Sequence, residues 1–364
     1  MIVKGYYFSM IMLSLICSGI YLFKWRKHFD IYYSALFMLF PMMNVGYYLL
    51  AVAKDVGEAL TAIKIYYAGG CYLLLCIAMS VFSLCNIRLN RVIVFGILSW
   101  STILYASVLT AGHLPYFYKN VRLDLSSGYS MLHKEYGPMH TAFMVTLSCY
   151  FAISILTVIY GLWKKKDAPV KSLIVLLVTL ILSMIAFFFG KLISGKIEFV
   201  PAAYLIDAIA YLLVVERLAL YDITGSVSES LVEHGEYGFI SLDLNLNYLG
   251  ANRTAKDMLP GLDDSRVDMK IQNEALSGAI SSFVDDFRKD EISREQFYNN
   301  GNHVLKVQVG YLFDGNRKRG YRLSLMDDTA HQQYLTTITE YNRNLRAELS
   351  KKDRMIEKLK EKGM

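Results

Sequence analysis

Residues 1–222 are dominated by apolar runs near ~20 residues long, the length that crosses ~30 Å of hydrocarbon. They predict seven membrane-crossing helices, at 5–23, 31–53, 63–85, 92–110, 140–163, 172–190 and 201–221. After Tyr221 the runs vanish and charged residues become frequent. The pattern therefore divides the chain into a seven-helix membrane domain (1–222), a small polar domain (226–329) and a terminal helix (330–364).

The first run, "GYYFSMIMLSLICSGIYLF", has no strongly basic segment before it and no small-residue cleavage site. Its charged cluster "KWRK" follows it, so it reads as a retained helix rather than a signal peptide. Lysine and arginine set orientation. With the N-terminus outside, the inner loops are "KWRKHFD", "NIRLNR" and "KKKDAPVK", with three, two and four basic residues. The basic density is higher there than in the outer segments, which predicts N-out, C-in and a soluble half in the cytoplasm. The expected location is the cytoplasmic membrane.

Composition changes this picture little. The chain is 54% hydrophobic with a net charge of +6, but the basic residues sit largely in short loops, which argues for topology rather than nucleic-acid binding. Cys17, Cys71, Cys76, Cys85 and Cys149 lie in or at the ends of apolar runs without metal-ligand spacing. They are expected to be buried small hydrophobes.

Candidate chemistry lies in two places. The outer segment "GHLPYFYKNVRLDLSSGYSMLHKEYGPMH" alternates weakly at Val121, Leu123 and Leu125 around "SSG", which predicts a small hairpin. Its Tyr116, Tyr129 and Tyr136 fit either an interfacial aromatic lid or the mouth of an extracellular ligand site. Within the spans, Asn44 and Asp207 are costly in lipid and are candidates for ligand contact or coupling. The competing reading for Asp207 is a hydrogen bond to a neighbouring tyrosine that fixes helix packing.

In the polar domain, "YGFISLDLNLNYLGANRTAKDML" predicts two short strands around a turn, then a helix beginning near Asn252. Phe239 to Leu242 read as a half-buried strand. Helix signals follow in "NEALSGAISSFVDDFRKDEI", then three strand-like stretches, "EQFYNN", "HVLKVQVGYLFD" and "KRGYRLSLMDD". The last two form a hairpin with Asp314, Gly315 and Gly320 supplying the turn. The result is an α+β domain. "LGANRTAK" lacks phosphate-loop spacing, and His303 reads as a strand-edge residue rather than a haem ligand. No cofactor is identifiable, and His234 is the other histidine of this domain.

From residue 335 a heptad runs to the end. Leu335, Asn342, Leu349 and Ile356 form one set, and Ile338, Leu345, Lys352 and Leu359 the other. Asn342 at a seam position favours a parallel, in-register homodimer at a cost in stability. Asp327 and Thr329 at the root fit helix N-caps.

Seven spans, a long outer segment containing "HKEYGPMH", a basic loop after the fifth span and an α+β domain ending in "DDT" resemble a known architecture. It is similar to the N-terminal seven-helix sensor region of bacterial histidine kinases joined to a PAS domain. The resemblance implies two-component-type signalling through PAS and a coiled coil, in contact with membrane lipid, to an output domain. That output would be a histidine kinase, a GGDEF diguanylate cyclase or an HD-GYP phosphodiesterase. No such catalytic motif occurs in the sequence, and His331, between Ala330 and Gln332, lacks the acidic neighbour of a phosphoacceptor. The expectation is a non-enzymatic sensor whose output is a domain absent from this chain or a separate signalling protein. A small transporter or channel with a regulatory PAS tail and a membrane scaffold are the competing classes.

Overall fold

A computed structural model describes residues 2–25, 29–125, 129–164, 168–193, 197–232, 237–292, 295–301, 303–314 and 317–362. At 191–193, 219–232, 290, 314 and 357–362 it describes the backbone only. The loop residues Arg26, Lys27, Lys165 and Lys166, the turn residues 126–128 and Gly315, and His234 lie outside these ranges. The chain divides into two compact units, Met1–Ile223 with Arg266–Met269, and Thr224–Ser265 with Lys270–Met364.

The first unit begins with α1 (Ile2–Lys24), α2 (Ile31–Val52), α3 (Val56–Leu84) and α4 (Arg91–Leu109). A hairpin follows, β1 (Tyr118–Asp124) and β2 (Met131–Tyr136), and then α5 (Pro138–Lys164), α6 (Val170–Ile193) and α7 (Val200–Val232), whose residues up to Ile223 belong to this unit. Among the described residues, the six helices α1 to α6 are long and apolar enough to cross a membrane. The seventh predicted span coincides with part of α7, whose Asp207, Glu216 and Arg217 make it more polar, and it is not among those six.

α3 is the central helix, with Ile63, Leu73, Leu74, Ile77 and Val81 fully buried. It starts earlier than its apolar run, because Asp55 and Glu58 cap it. The Asp55 carboxylate accepts from the Glu58 amide at 2.8 Å, and the Glu58 carboxylate accepts from the Lys54 amide at 2.7 Å. This reciprocal arrangement resembles a capping box and satisfies donors that an apolar scan takes for loop. In α2, Pro41 has no N–H to give the Phe37 carbonyl. Ser18 on α1 supplies the missing donor at 2.5 Å, the kind of repair a proline inside a membrane helix requires. Outward-facing side chains are large and apolar, and Trp25, Trp100 and Trp163 are all exposed on this unit. Four of the cysteines are buried as expected, but Cys149 is exposed.

The second unit holds β3 (Tyr237–Asp243), β4 (Tyr248–Ala251), α8 (Arg253–Met258), α9 (Glu274–Asp290), β5 (Gln296–Asn299), β6 (Val304–Asp314), β7 (Arg317–Asp327) and α10 (Thr329–Lys362). The strands form one antiparallel sheet in the order β4-β3-β7-β6-β5. Register places Ile240, Leu323 and Val309 in one row across β3, β7 and β6, all buried. The apolar face of α9 presents Leu276, Ile280, Val284 and Phe287 at helical spacing, all buried.

β3 is not the half-buried strand its sequence suggests, since every residue from Gly238 to Leu242 is buried. It is an inner strand covered on both faces. α8 packs so closely on one side that a Cβ at Gly238 would come within 2.9 Å of Ala255 Cα. On the other, Phe239 lies beneath the Arg322 guanidinium, 6.0 Å from its ring centre.

Asn252 joins β3 to α8. Its side-chain oxygen accepts from the Phe239 and Ala255 amides at 2.8 and 2.9 Å, and its Nδ2 donates to the Tyr237 carbonyl at 2.8 Å. Removing it strands buried backbone groups, so Asn252→Ala should cost about 2–4 kcal/mol. Native-state hydrogen exchange should show β3 amides losing protection correspondingly; unchanged exchange would mean the strand does not depend on this clamp.

Candidate functional site

The outer hairpin is fastened to the helices around it. The Ser130 amide donates to the Ala51 carbonyl at the end of α2, and its hydroxyl to the Leu50 carbonyl. At the other end the Gly137 amide donates to the Phe117 carbonyl and the Met139 amide to the Tyr116 carbonyl. Phe117, fully buried, meets Tyr67, Tyr118 and Phe143 edge-on at 4.9, 4.9 and 6.2 Å. Such pairs each add about 0.5–1.5 kcal/mol beyond burial. The hairpin is therefore a structured cover built on an aromatic cluster.

Under it lies a cavity of about 260 Å³. Met43 and Tyr47 of α2 and Tyr66 and Tyr67 of α3 form one wall. Lys134 and Tyr136 of β2, His140 and Phe143 of α5, and Glu198 before α7 form others. An adjoining cavity of about 370 Å³ shares Tyr47, Lys134, Tyr136 and Glu198, and adds Tyr7 and Tyr129.

The charged walls are held in place. The Lys134 ammonium donates to the Tyr66 hydroxyl at 2.9 Å and stands 5.5 and 5.7 Å from the Tyr66 and Tyr118 ring centres, within cation–π range. Tyr66 in turn stacks on Tyr47 at 4.8 Å, and Tyr136 stacks on His140 at 4.0 Å. The Glu198 peptide is clamped to α1, its carbonyl accepting from the Tyr6 hydroxyl and its amide donating to the Tyr7 hydroxyl, both at 3.2 Å. Among the described residues, the Lys134 ammonium and the Glu198 carboxylate thus border a mostly aromatic space. Among the described residues no group of three or more His, Cys, Asp or Glu side chains is placed to hold a metal ion.

The structure brings Tyr129 and Tyr136 to these cavities. The Tyr116 ring is exposed and is not among the lining residues. Asn44 is buried in the bundle, its amide donating to the Met10 carbonyl at 3.3 Å. Asp207 is buried too, but its side-chain hydrogen bonds go to Ser183, whose hydroxyl donates at 2.6 Å, and to Thr179, rather than to a tyrosine. Tyr211, one turn along α7, pairs with Ser80 at 2.7 Å. Tyr47, Tyr66, Lys134, His140 and Glu198 were missed because the walls are assembled from chain segments far apart in sequence. The charged residues in "HKEYGPMH" and "KIEFVP" beside apolar runs were the available signal.

In the second unit, the root of α10 is a knot of side chains. Asp327 accepts from the Thr329 hydroxyl and amide at 2.5 and 3.0 Å, and its other oxygen meets His303 Nδ1 at 2.8 Å. The Thr329 hydroxyl accepts from the Val304 amide of β6 at 2.9 Å, so it ties the helix to the sheet as well as to its own cap. The Thr329 bonds, with His303 beside them, hold the Asp327 carboxyl below the usual carboxylate range. Because the folded value is depressed, that stabilisation is complete above about pH 4 and fades as pH falls through the folded pKa. Along α10, Leu335, Ile338, Leu345, Leu349 and Ile356 are 42, 37, 38, 56 and 50% exposed. Asn342 and Lys352, on the same seam, are exposed as well.

A family described as the N-terminal 7TM region of histidine kinase matches residues 8–224, more than half of the chain. No curated protein matches it.

Proposed function

We propose a signalling route for this chain, which belongs to the family of N-terminal 7TM regions of histidine kinases: a signal enters under the outer hairpin and leaves through α10. The family makes the first unit a membrane sensor region of histidine-kinase type. In this reading α7 is the seventh span, the N-terminus is outside and the second unit is cytoplasmic, in line with the basic density of the inner loops. The second unit is a PAS-like module, a reading supported by its order of two strands, helices and three antiparallel strands. It passes the signal to a kinase or cyclic-di-GMP output, on the same polypeptide or on a separate one.

The exposed apolar seam of α10 carries this proposal. A helix of 34 residues, knotted to the sheet at its root, presents partly exposed aliphatic side chains at heptad spacing, the pattern a partner helix covers. Two copies leaving the same membrane face pair naturally in parallel. A seam weakened by Asn342 and Lys352 suits a switch, whose states lie within a few kcal/mol. Leu345→Cys should therefore give an intermolecular disulfide on mild oxidation of membranes, well above the background from Cys149, whereas Arg346→Cys should give much less. Equal yields at both positions would dismiss a specific seam.

A further inference from the structure

We propose that the cavity beneath the hairpin takes a small zwitterion with an apolar body, of the size of an amino acid or a dipeptide. This deepens the reading of that cavity as the entrance for the signal and rests on it. Charge is the first argument. Lys134 and Glu198 border the same space from different elements, β2 and the connection before α7. Among the described lining residues, a ligand with only a negative charge would face the Glu198 carboxylate, and one with only a positive charge would face the Lys134 ammonium. In a site walled by rings each mismatch is costly, and a ligand carrying both charges removes both.

The walls give the second argument. Tyrosine rings attract an ammonium through their faces, as they already do with Lys134 over Tyr66 and Tyr118. Met43, Phe143, Leu147 and Phe187 offer an apolar end to the same space. Size is the third argument. About 260 Å³ lies just below the usual range of ligand sites, roughly 300 to 1,000 Å³, which points to a small ligand. Both charged walls are also pinned, Lys134 by Tyr66 and the Glu198 peptide by Tyr6 and Tyr7, so the site is built before a ligand arrives. A zwitterion bridging them would couple the hairpin to the start of α7, which begins at Val200.

The test is calorimetric titration of the whole chain in phosphatidylglycerol nanodiscs, whose lipid carries no ammonium. The probes are leucine, phenylalanine, leucyl-phenylalanine, phenethylamine and 3-phenylpropanoate. At least one zwitterion should bind roughly tenfold or more tightly than either singly charged compound, the loss expected for one charged hydrogen bond. The amino acids and the dipeptide compete as sources of the same chemistry, and their ranking names the source. Lys134→Met should abolish the preference over phenethylamine alone, and Glu198→Gln the preference over 3-phenylpropanoate alone. Lys134→Gln reads the same preference if the methionine variant melts early. A singly charged probe binding as tightly as the zwitterions, variants that keep both preferences, or no binding by a folded chain would overturn the inference. If no probe binds while the Leu345→Cys disulfide still forms, the ligand class is wrong and the α10 reading stands. If a zwitterion binds and the disulfide is absent, the reverse holds.

Discussion

Aspartate at Leu335, Ile338 and Leu345 together should turn the purified chain from a dimer into a monomer in detergent. Each side chain is partly exposed in the single chain, and each would be covered by its twin in a parallel pair. Burying one such side chain contributes about 1.5–3 kcal/mol. The triple substitution removes that contribution from both helices and sets carboxylates against carboxylates. A loss of even ~4 kcal/mol raises the dissociation constant a thousandfold. Sedimentation velocity reads the change directly, and deletion of residues 330–364 should match it. A dimer that survives both would place the contact elsewhere and leave α10 as an ordinary solvated helix. Asn342→Leu should act in the opposite direction, tightening association while loosening its register.

Gly46→Leu should damage the packing of the membrane unit severely. α2 and α3 approach so closely there that a Cβ on Gly46 would sit 2.6 Å from both the backbone nitrogen and the Cβ of Tyr66. No rotamer relieves a clash with backbone, so the helices must separate. Small residues at such crossings are what allow membrane helices to pack. Separation would pull Tyr47 from Tyr66, whose rings stack at 4.8 Å and form one wall of the cavity. Overpacking of this kind costs about 1–3 kcal/mol or more. Thermal unfolding in detergent should show a clear fall in midpoint together with loss of zwitterion binding. Gly19→Leu, at a position where a Cβ meets nothing within 4 Å, is the matched control. Equal midpoints for the two variants would refute the close-packing argument.

Much of the architecture was legible because its signals are local. Apolar runs mark α1 to α6, and the alternation of Val121 and Leu123 around a polar turn marks the outer hairpin, which the structure pairs as Val121 with Lys134 and Leu123 with Leu132. Asn252 announced α8 because an N-cap acts within one turn. Legibility failed where the decisive partner is distant in sequence. The early start of α3 depends on Asp55 and Glu58 capping one another, and polar residues near an apolar run read as its end. β3 lost its alternation because α8 and Arg322 cover opposite faces, which no window around Phe239 can reveal. The cavity was the least legible part. Its walls come from α2, α3, β2, α5, α6, the connection before α7 and the start of α7, and only the folded bundle brings Lys134 and Glu198 to one space. Tyr136 was found for its aromatic character, while Lys134, two residues earlier, passed as a loop charge.

The distribution of tryptophan has a practical consequence. The chain has three, Trp25, Trp100 and Trp163, all on the membrane unit and all facing outward. Intrinsic indole emission therefore reports on the surface of that unit alone, and the second unit is dark in the same channel. Brominated acyl chains should quench this emission from the lipid side. A ligand that reshapes the bundle can then be followed without a label, separately from whatever happens in the sheet domain and α10.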